Sequence, residues 1–88
     1  MDELIASLES LRDFIVERDA EKSFTMATAV LLETVKVFGH DRNIMGKTFP
    51  MLEQMKNDIR QHRFDDALAI VLAFLAKFRA VKSQYPDL

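Results

Sequence analysis

Residues 65–84 read DDALAIVLAFLAKFRAVKSQ, and this stretch decides the fold. Placed at 100° per residue, its large apolar side chains cover nearly half of a helix circumference, which is typical of a helix buried along one whole side. A second arc holds only small residues, namely Ala69, Ala73, Ala76 and Ala80. Asp65 would cap this helix and Pro86 would end it. The stretch therefore predicts a strongly amphipathic helix over residues 65–84.

The first half of the chain predicts two more helices from the same spacing of apolar residues. They cover residues 3–18 and 20–38, with Asp2 and Asp19 as N-caps. Gly39 would stop the second of them. The predicted stripe of this second helix is Phe24, Ala27, Leu31, Val35 and Phe38, and Met26, Val30 and Val37 extend it.

A loop and one further helix are predicted between these segments. Residues 40–48 (HDRNIMGKT) would form the loop, and a helix would follow over residues 49–62. Thr48 or Phe49 would cap that helix, and Pro50 would lie in its first turn, where a missing N–H costs nothing.

The predicted fold is all-α, a four-helix bundle built from two antiparallel hairpins in one domain, residues 1–88. An alternative remains open at this level. No glycine or proline lies between Val16 and Phe24, so two long helices could instead pair into a dimeric four-helix bundle. The predicted core consists of Leu8, Leu11, Ile15, Leu31, Val35, Leu52, Met55, Ile59, Leu68, Leu75 and Phe78.

A shift of 44 residues aligns the two predicted hairpins. It places Leu8 on Leu52 and Ile15 on Ile59, and both predicted turns then coincide. Two similar hairpins joined by residues 40–48 account for the pattern, as does the general likeness of any two amphipathic hairpins.

A short segment at the second turn resembles a known repeat. Residues 63–70 (RFDDALAI) resemble the hairpin turn of tetratricopeptide repeats, in which a small residue, here Ala67, lets the second helix pack closely. The resemblance covers eight residues, and the period and the other landmarks of that repeat are missing, so it identifies no family.

The composition of the chain excludes several classes of function. The chain has 88 residues, of which 49% are hydrophobic and 30% charged, a formal net charge of −2, and no cysteine. The missing cysteines exclude disulfides and thiolate sites, and the small acidic net charge makes nucleic acid an improbable partner. The acidic start and the lack of a long apolar run predict no export signal and no membrane segment, so the cytoplasm is the expected location.

Charge is divided unevenly along the chain. Residues 1–35 hold three basic and eight acidic side chains, whereas residues 36–88 hold nine basic and six acidic ones. The two halves are expected to attract each other within the fold, or to present docking faces of opposite sign.

The motifs that carry chemistry are incomplete. Gly46-Lys47-Thr48 lacks the earlier glycine and the strand of a phosphate-binding loop, and the calcium-loop spacing that starts at Asp41 lacks its final glutamate. His40 and Asp41 have no further histidine nearby to complete a metal site. We therefore expect no enzyme activity, no catalytic residue, no metal and no cofactor.

The expected function is protein–protein interaction through helix contacts, as an adaptor, a small regulator or a secretion-type chaperone. The interaction residues are predicted to be the four alanines together with Met51 and Met55, and a homodimer is the expected assembly. The alternative is a nucleic-acid-associated regulator that uses Lys56, Arg60 and Arg63, which share one edge of the third helix.

Overall fold

The computed structural model describes residues 1–87; Leu88, the last residue of the predicted domain, lies outside the described residues. Within them the chain forms four helices: α1 (Asp2–Val16), α2 (Ala20–Phe38), α3 (Arg42–Arg60) and α4 (Phe64–Gln84). Each helix packs against the next, and α4 returns to α1, which closes an antiparallel bundle of 34 × 22 × 18 Å. The predicted four-helix bundle is confirmed, and the alternative of two long helices is wrong because the chain reverses at residues 17–19.

The turns after α1 and α3 have the same construction. Arg18 and His62 lie 44 residues apart and both have positive φ, 58° and 60°. In each turn, the residue at positive φ donates its N–H to the carbonyl three residues back, and the following residue donates to the carbonyl five residues back. This is the Schellman arrangement, in which glycine is the usual residue at positive φ. A larger side chain there costs about 1 kcal/mol, which the rest of the bundle must offset.

The same 44-residue shift relates the inward faces of the helices. The fully buried α1 residues are Leu4, Leu8, Leu11 and Ile15, and the matching α3 residues, also buried, are Thr48, Leu52, Met55 and Ile59. The buried α2 residues Ser23, Ala27, Val30 and Thr34 match Ala67, Val71, Phe74 and Phe78 of α4. The bundle is thus two hairpins that present equivalent positions to one core.

The predicted face of α2 is wrong by one position over most of its length. Val30 and Thr34 point inward, whereas Leu31 is only half-buried and Val35 is 45% exposed. Leu68 of α4, also predicted in the core, is half-buried. Small residues on the inner side let α2 approach its neighbours closely, and its larger side chains remain at the boundary with solvent.

The predicted loop at residues 40–48 is wrong, because α3 already begins at Arg42. Asp41 is the N-cap, and its carboxylate accepts hydrogen bonds from the backbone N–H groups of Asn43 and Ile44, both at 3.1 Å. Thr48 is therefore not a cap but a buried residue inside the helix. Pro50 likewise lies in the helix interior, where it removes one backbone hydrogen bond, to the carbonyl of Gly46.

Of the other predicted N-caps, one is confirmed and two are wrong. Asp19 caps α2 as predicted, since its carboxylate accepts from the N–H of Lys22 at 3.0 Å. Asp2 and Asp65 were expected to cap α1 and α4, but each lies in the first turn of its helix. There a carboxylate still favours the positive end of the helix dipole.

Aromatic stacking closes the upper end of the core, which is the end near Gly39. Phe78 of α4 stacks on Phe38 of α2 and on Phe74, with ring centroids 5.5 and 5.6 Å apart. The wide apolar side predicted for α4 packs mainly against α1 and α3, and it reaches α2 through this stacking.

Leu75→Ala should lower the free energy of unfolding by about 2–5 kcal/mol, because Leu75 is 1% exposed and its loss leaves a cavity. The matched control is Leu72→Ala on the same helix, where Leu72 is 47% exposed and the cost should be about 0.5 kcal/mol or less. Chemical denaturation measures both values, and equal losses would contradict the inward face assigned to α4.

Thr48→Val should stabilise the protein by about 1 kcal/mol. The Thr48 hydroxyl is buried and has no hydrogen-bond partner among the described residues, so an isosteric methyl group removes a desolvation cost. The control is Thr34→Val, because the buried Thr34 hydroxyl donates to the carbonyl of Val30 at 2.7 Å. Thermal melts of the pair should show a gain for Thr48→Val and none for Thr34→Val; the reverse order would contradict the placement of Thr48.

Candidate interaction surfaces

The predicted alanine strip of α4 faces solvent. Ala69, Ala73, Ala76 and Ala80 are all exposed, on the side of the helix opposite its buried residues. Leu72 borders the strip and is 47% exposed. The strip is smooth enough for a helix to approach closely, and alanine is equally common on a solvated helix face because of its high helix propensity.

The two methionines predicted as interaction residues differ in their exposure. Met51 is 44% exposed and is available to a partner, whereas Met55 is fully buried. Met55 belongs to the core because it lies on the inward side of α3, one turn after Leu52. It therefore contributes to no surface of the folded chain.

Two cations of the predicted basic edge of α3 lie against an aromatic ring of α2. The sequence pattern did not predict a ring at this position. Lys56 Nζ lies 5.1 Å from the centroid of the Phe24 ring of α2, and Arg60 Cζ lies 5.2 Å from it. Both cations are thus within the range of cation–π attraction and are held against α2. Phe49 lies seven and eleven residues before these two cations, and Arg42 lies fourteen and eighteen residues before them, so both share the same flank of α3.

The third predicted basic residue, Arg63, has a separate structural role. Its Nε and Nη2 donate to Asp58 Oδ1 at 3.1 and 3.0 Å, and Gln54 Nε2 donates to the same oxygen at 2.8 Å. The Asp58 side chain is only 4% exposed, so these donors compensate the burial of a carboxylate at the end of α3. Asp58 is a buried charge that periodicity alone did not reveal.

A further surface, which we call the α2–α3 face, consists of the outer sides of α2 and α3 along the line where these helices meet. Three large apolar side chains on it are exposed: Leu32 at 58%, Val35 at 45% and Phe49 at 42%. Residues 23–32 of α2 hold no charged side chain on any side of the helix. Such a helix is normally covered on more than one side. This uncharged run was the available signal for the surface.

Two open depressions lie near the basic edge. One, of about 290 Å³, occupies the lower end of the α2–α3 face, near the turn at Arg18, and is lined mainly by Phe24, Ile59, Ala20, Glu21 and Arg60. The other, of about 480 Å³, lies on the outer side of α3 between Pro50 and Arg60 and is lined by polar side chains.

The acidic and basic halves of the chain contact each other in the fold. Glu9 pairs with Arg79 at 2.9 Å and Asp2 pairs with Lys82 at 3.3 Å, both between α1 and α4. A third pair, between Arg18 and Asp65 at 3.3 Å, has the opposite polarity. The expected attraction within the fold is therefore present, as exposed pairs that each contribute little.

The residues considered for chemistry lie apart. His40 and His62 are both exposed, one after α2 and the other in the turn after α3. Asp41 is occupied as the cap of α3. Over residues 1–87, the structure brings together no group of three or more histidine, cysteine, aspartate or glutamate side chains that could hold a metal ion.

Comparison with protein-family models, with curated proteins and with solved structures finds no match for the chain. Of the helices between residues 1 and 87, none is long and apolar enough to cross a membrane. Function must therefore be inferred from the surfaces themselves.

Arg63→Ala should lower the free energy of unfolding by about 1–3 kcal/mol, because it leaves the buried Asp58 carboxylate without its guanidinium partner. Arg60→Ala is the control on the same edge and should cost about 1 kcal/mol or less, since it loses an exposed cation–π contact. Urea denaturation of both variants checks the order; a larger loss for Arg60→Ala would overturn the role assigned to Arg63.

Proposed function

We propose that the protein is a non-enzymatic interaction module that binds a second copy or another protein through its exposed helix faces. The observation that carries the proposal is apolar exposure around a closed core. The inward sides of all four described helices are buried, yet Leu32, Leu72 and Phe49 keep 58%, 47% and 42% of their surface exposed.

Of the seven large apolar side chains that are exposed among residues 1–87, four lie on two helix faces, and the other three are Met51 of α3 and, at helix ends, Val16 and Tyr85. Leu32, Val35 and Phe49 belong to the α2–α3 face, and Leu72 borders the alanine strip. Grouped exposed apolar residues mark sites of association. A short chain also has much surface for its volume, so a partner adds burial that a single bundle lacks.

The proposed partner is a protein, and the contact is between helices. Helices offer the partner two kinds of surface here: larger apolar side chains on the α2–α3 face and small ones on the alanine strip of α4. We propose the cytoplasm as the compartment, because a chain with no cysteine draws nothing from an oxidising environment.

Nucleic-acid binding is a second candidate, and one observation favours it. Phe24 lies beside Lys56 and Arg60, and an aromatic ring among cations is an arrangement that stacks bases. Glu21 and Glu53 border the same region, and their charge opposes a phosphate backbone. Salt-dependent binding of single-stranded DNA or RNA that is lost in Phe24→Ala would favour this candidate over a protein partner.

A variant with Val35→Glu and Ala73→Glu should lose the association that the parent protein shows, because each substitution adds a charge at a proposed contact surface. The measurement is light scattering for self-association, together with affinity capture from the native cell followed by mass spectrometry. Circular dichroism should show that helicity is retained, since both positions are exposed.

The matched control is Ala6→Glu on α1, which makes the same change at an exposed helix position outside both surfaces. It should retain the parent's mass and its captured proteins. A parent that is monomeric, and that captures the same proteins as the double variant, contradicts the proposed function.

A further inference from the structure

We propose that the α2–α3 face is the contact surface of a homodimer whose two-fold axis runs parallel to the helices. This inference rests on the proposed function, because it names both the partner, a second copy of the chain, and the surface that binds it. Three properties of the face support it: an apolar upper part, a charged lower part, and a polarity that is complementary to itself.

Between Arg42 at its upper end and the charged residues below, the face is apolar on both helices. Phe24 of α2 meets Lys56 of α3, which fixes the register of the antiparallel pair. Seven residues further up each helix, about 10 Å along the bundle, this register places Leu31 at the height of Phe49. Leu32 follows directly, and Val35 lies one turn higher. The exposed side chains of Leu32, Val35 and Phe49 therefore occupy neighbouring heights on a single face.

The lower part of the face carries opposite charges on its two helices. Glu21 is on α2 and Arg60 is on α3, and both line the same depression at the lower end of the face. Lys56 adds a second cation on the α3 side, one turn above Arg60. In the lowest turns of the face the α2 side carries Glu21 and the α3 side carries two cations, and Glu53, one turn above Lys56, adds one acidic side chain to α3.

A two-fold axis parallel to the helices would pair the apolar part of the face with its copy and would bring opposite charges together at the lower end. Rotation about such an axis keeps every residue at its own height and places α2 of one copy over α3 of the other. Glu21 of each copy then meets Arg60 of the other, and Leu32 and Val35 of each copy meet the other copy's Phe49. Every contact occurs twice, as an isologous interface requires.

The perpendicular two-fold axis lying in the face is disfavoured by charge. It would place α3 on α3 in antiparallel orientation, so that Arg60 of one copy would lie near Arg42 of the other. These two arginines are 18 residues apart, five helical turns, and thus lie on the same flank of α3. Like charges at both ends of α3 would oppose this arrangement, whereas Glu21 near Lys36 of the other copy's α2 would favour it, and the exchange of charges in the second experiment distinguishes the two axes.

The first experiment measures mass by light scattering over a wide range of protein concentration. The parent should be dimeric, and Leu32→Glu and Phe49→Glu should each raise the dissociation constant of the dimer by about a hundredfold, because each buries an unpaired charge. The control is Ala6→Glu, an exposed position on α1 outside both proposed surfaces, which should leave the dimer intact. Circular dichroism and a thermal melt confirm that each variant is folded.

The second experiment tests the orientation by exchanging charges between chains. In Glu21→Arg both positions 21 and 60 are basic, and in Arg60→Glu both are acidic. Each variant alone should be largely monomeric, because like charges would then face each other across the interface. Mixing the two variants should restore a dimer that contains one chain of each kind, because every contact between them then joins a glutamate to an arginine. Native mass spectrometry resolves the mixed dimer from either homodimer.

The outcomes separate this inference from the proposed function. A monomeric parent overturns the α2–α3 interface, and so does a dimer that survives Leu32→Glu and Phe49→Glu but dissociates in Ala73→Glu. The proposed function as an interaction module still stands in either case if the variant with Val35→Glu and Ala73→Glu loses captured proteins. Variants that self-associate singly but form no mixed dimer overturn the parallel axis. A monomer that binds single-stranded DNA through Phe24 overturns both proposals.

Discussion

Reversal of the chain at Arg18 and His62 is the constraint on which the rest of the structure depends. Both residues hold positive φ without being glycine, and the same pair of backbone hydrogen bonds closes each turn. If either residue continued in the helical conformation, its two helices would join into one rod, and each inward stripe would need another chain to cover it. Arg18 also lies over the Phe64 ring and pairs with Asp65, so the first turn contacts the beginning of α4.

The spacing of apolar residues predicted the inward side correctly for the helices whose large apolar residues form a single stripe. α1 and α3 each carry a narrow stripe, and their predicted core residues are buried. α2 is apolar around much of its circumference, so spacing alone permitted more than one inward side. Tertiary packing selected the side with Ala27, Val30 and Thr34, because it is on this side that α2 packs against α1 and α3. A sequence pattern does not contain that information, since it depends on the side chains of another helix.

The other errors also arise where a local signal has two meanings. Gly46 and Pro50 indicated a loop and a helix start, yet Asp41 supplies a cap one residue before Arg42, and its two hydrogen bonds start α3 early. The basic edge was predicted from α3 alone, where no aromatic residue is interleaved. The ring beside Lys56 and Arg60 comes from α2 and becomes visible only when the helices are packed. Residue types on one helix predicted the cations of the site, but not their aromatic neighbour.

The choice of inward side for α2 links the core to the outer surface. Because Ser23, Ala27 and Thr34 occupy the interior, Leu32 and Val35 are left on the outside, beside a flank of α3 that carries Phe49. The uncharged run over residues 23–32 is mostly buried or half-buried, and Leu32 is the large apolar side chain of the run that remains exposed. At the lower end of this surface Glu21 lies on α2 and Arg60 on α3, and the proposed rotation would bring these two charges of different copies together. It is this surface, left by the choice of inward side on α2, to which we assign the proposed contact with a second copy.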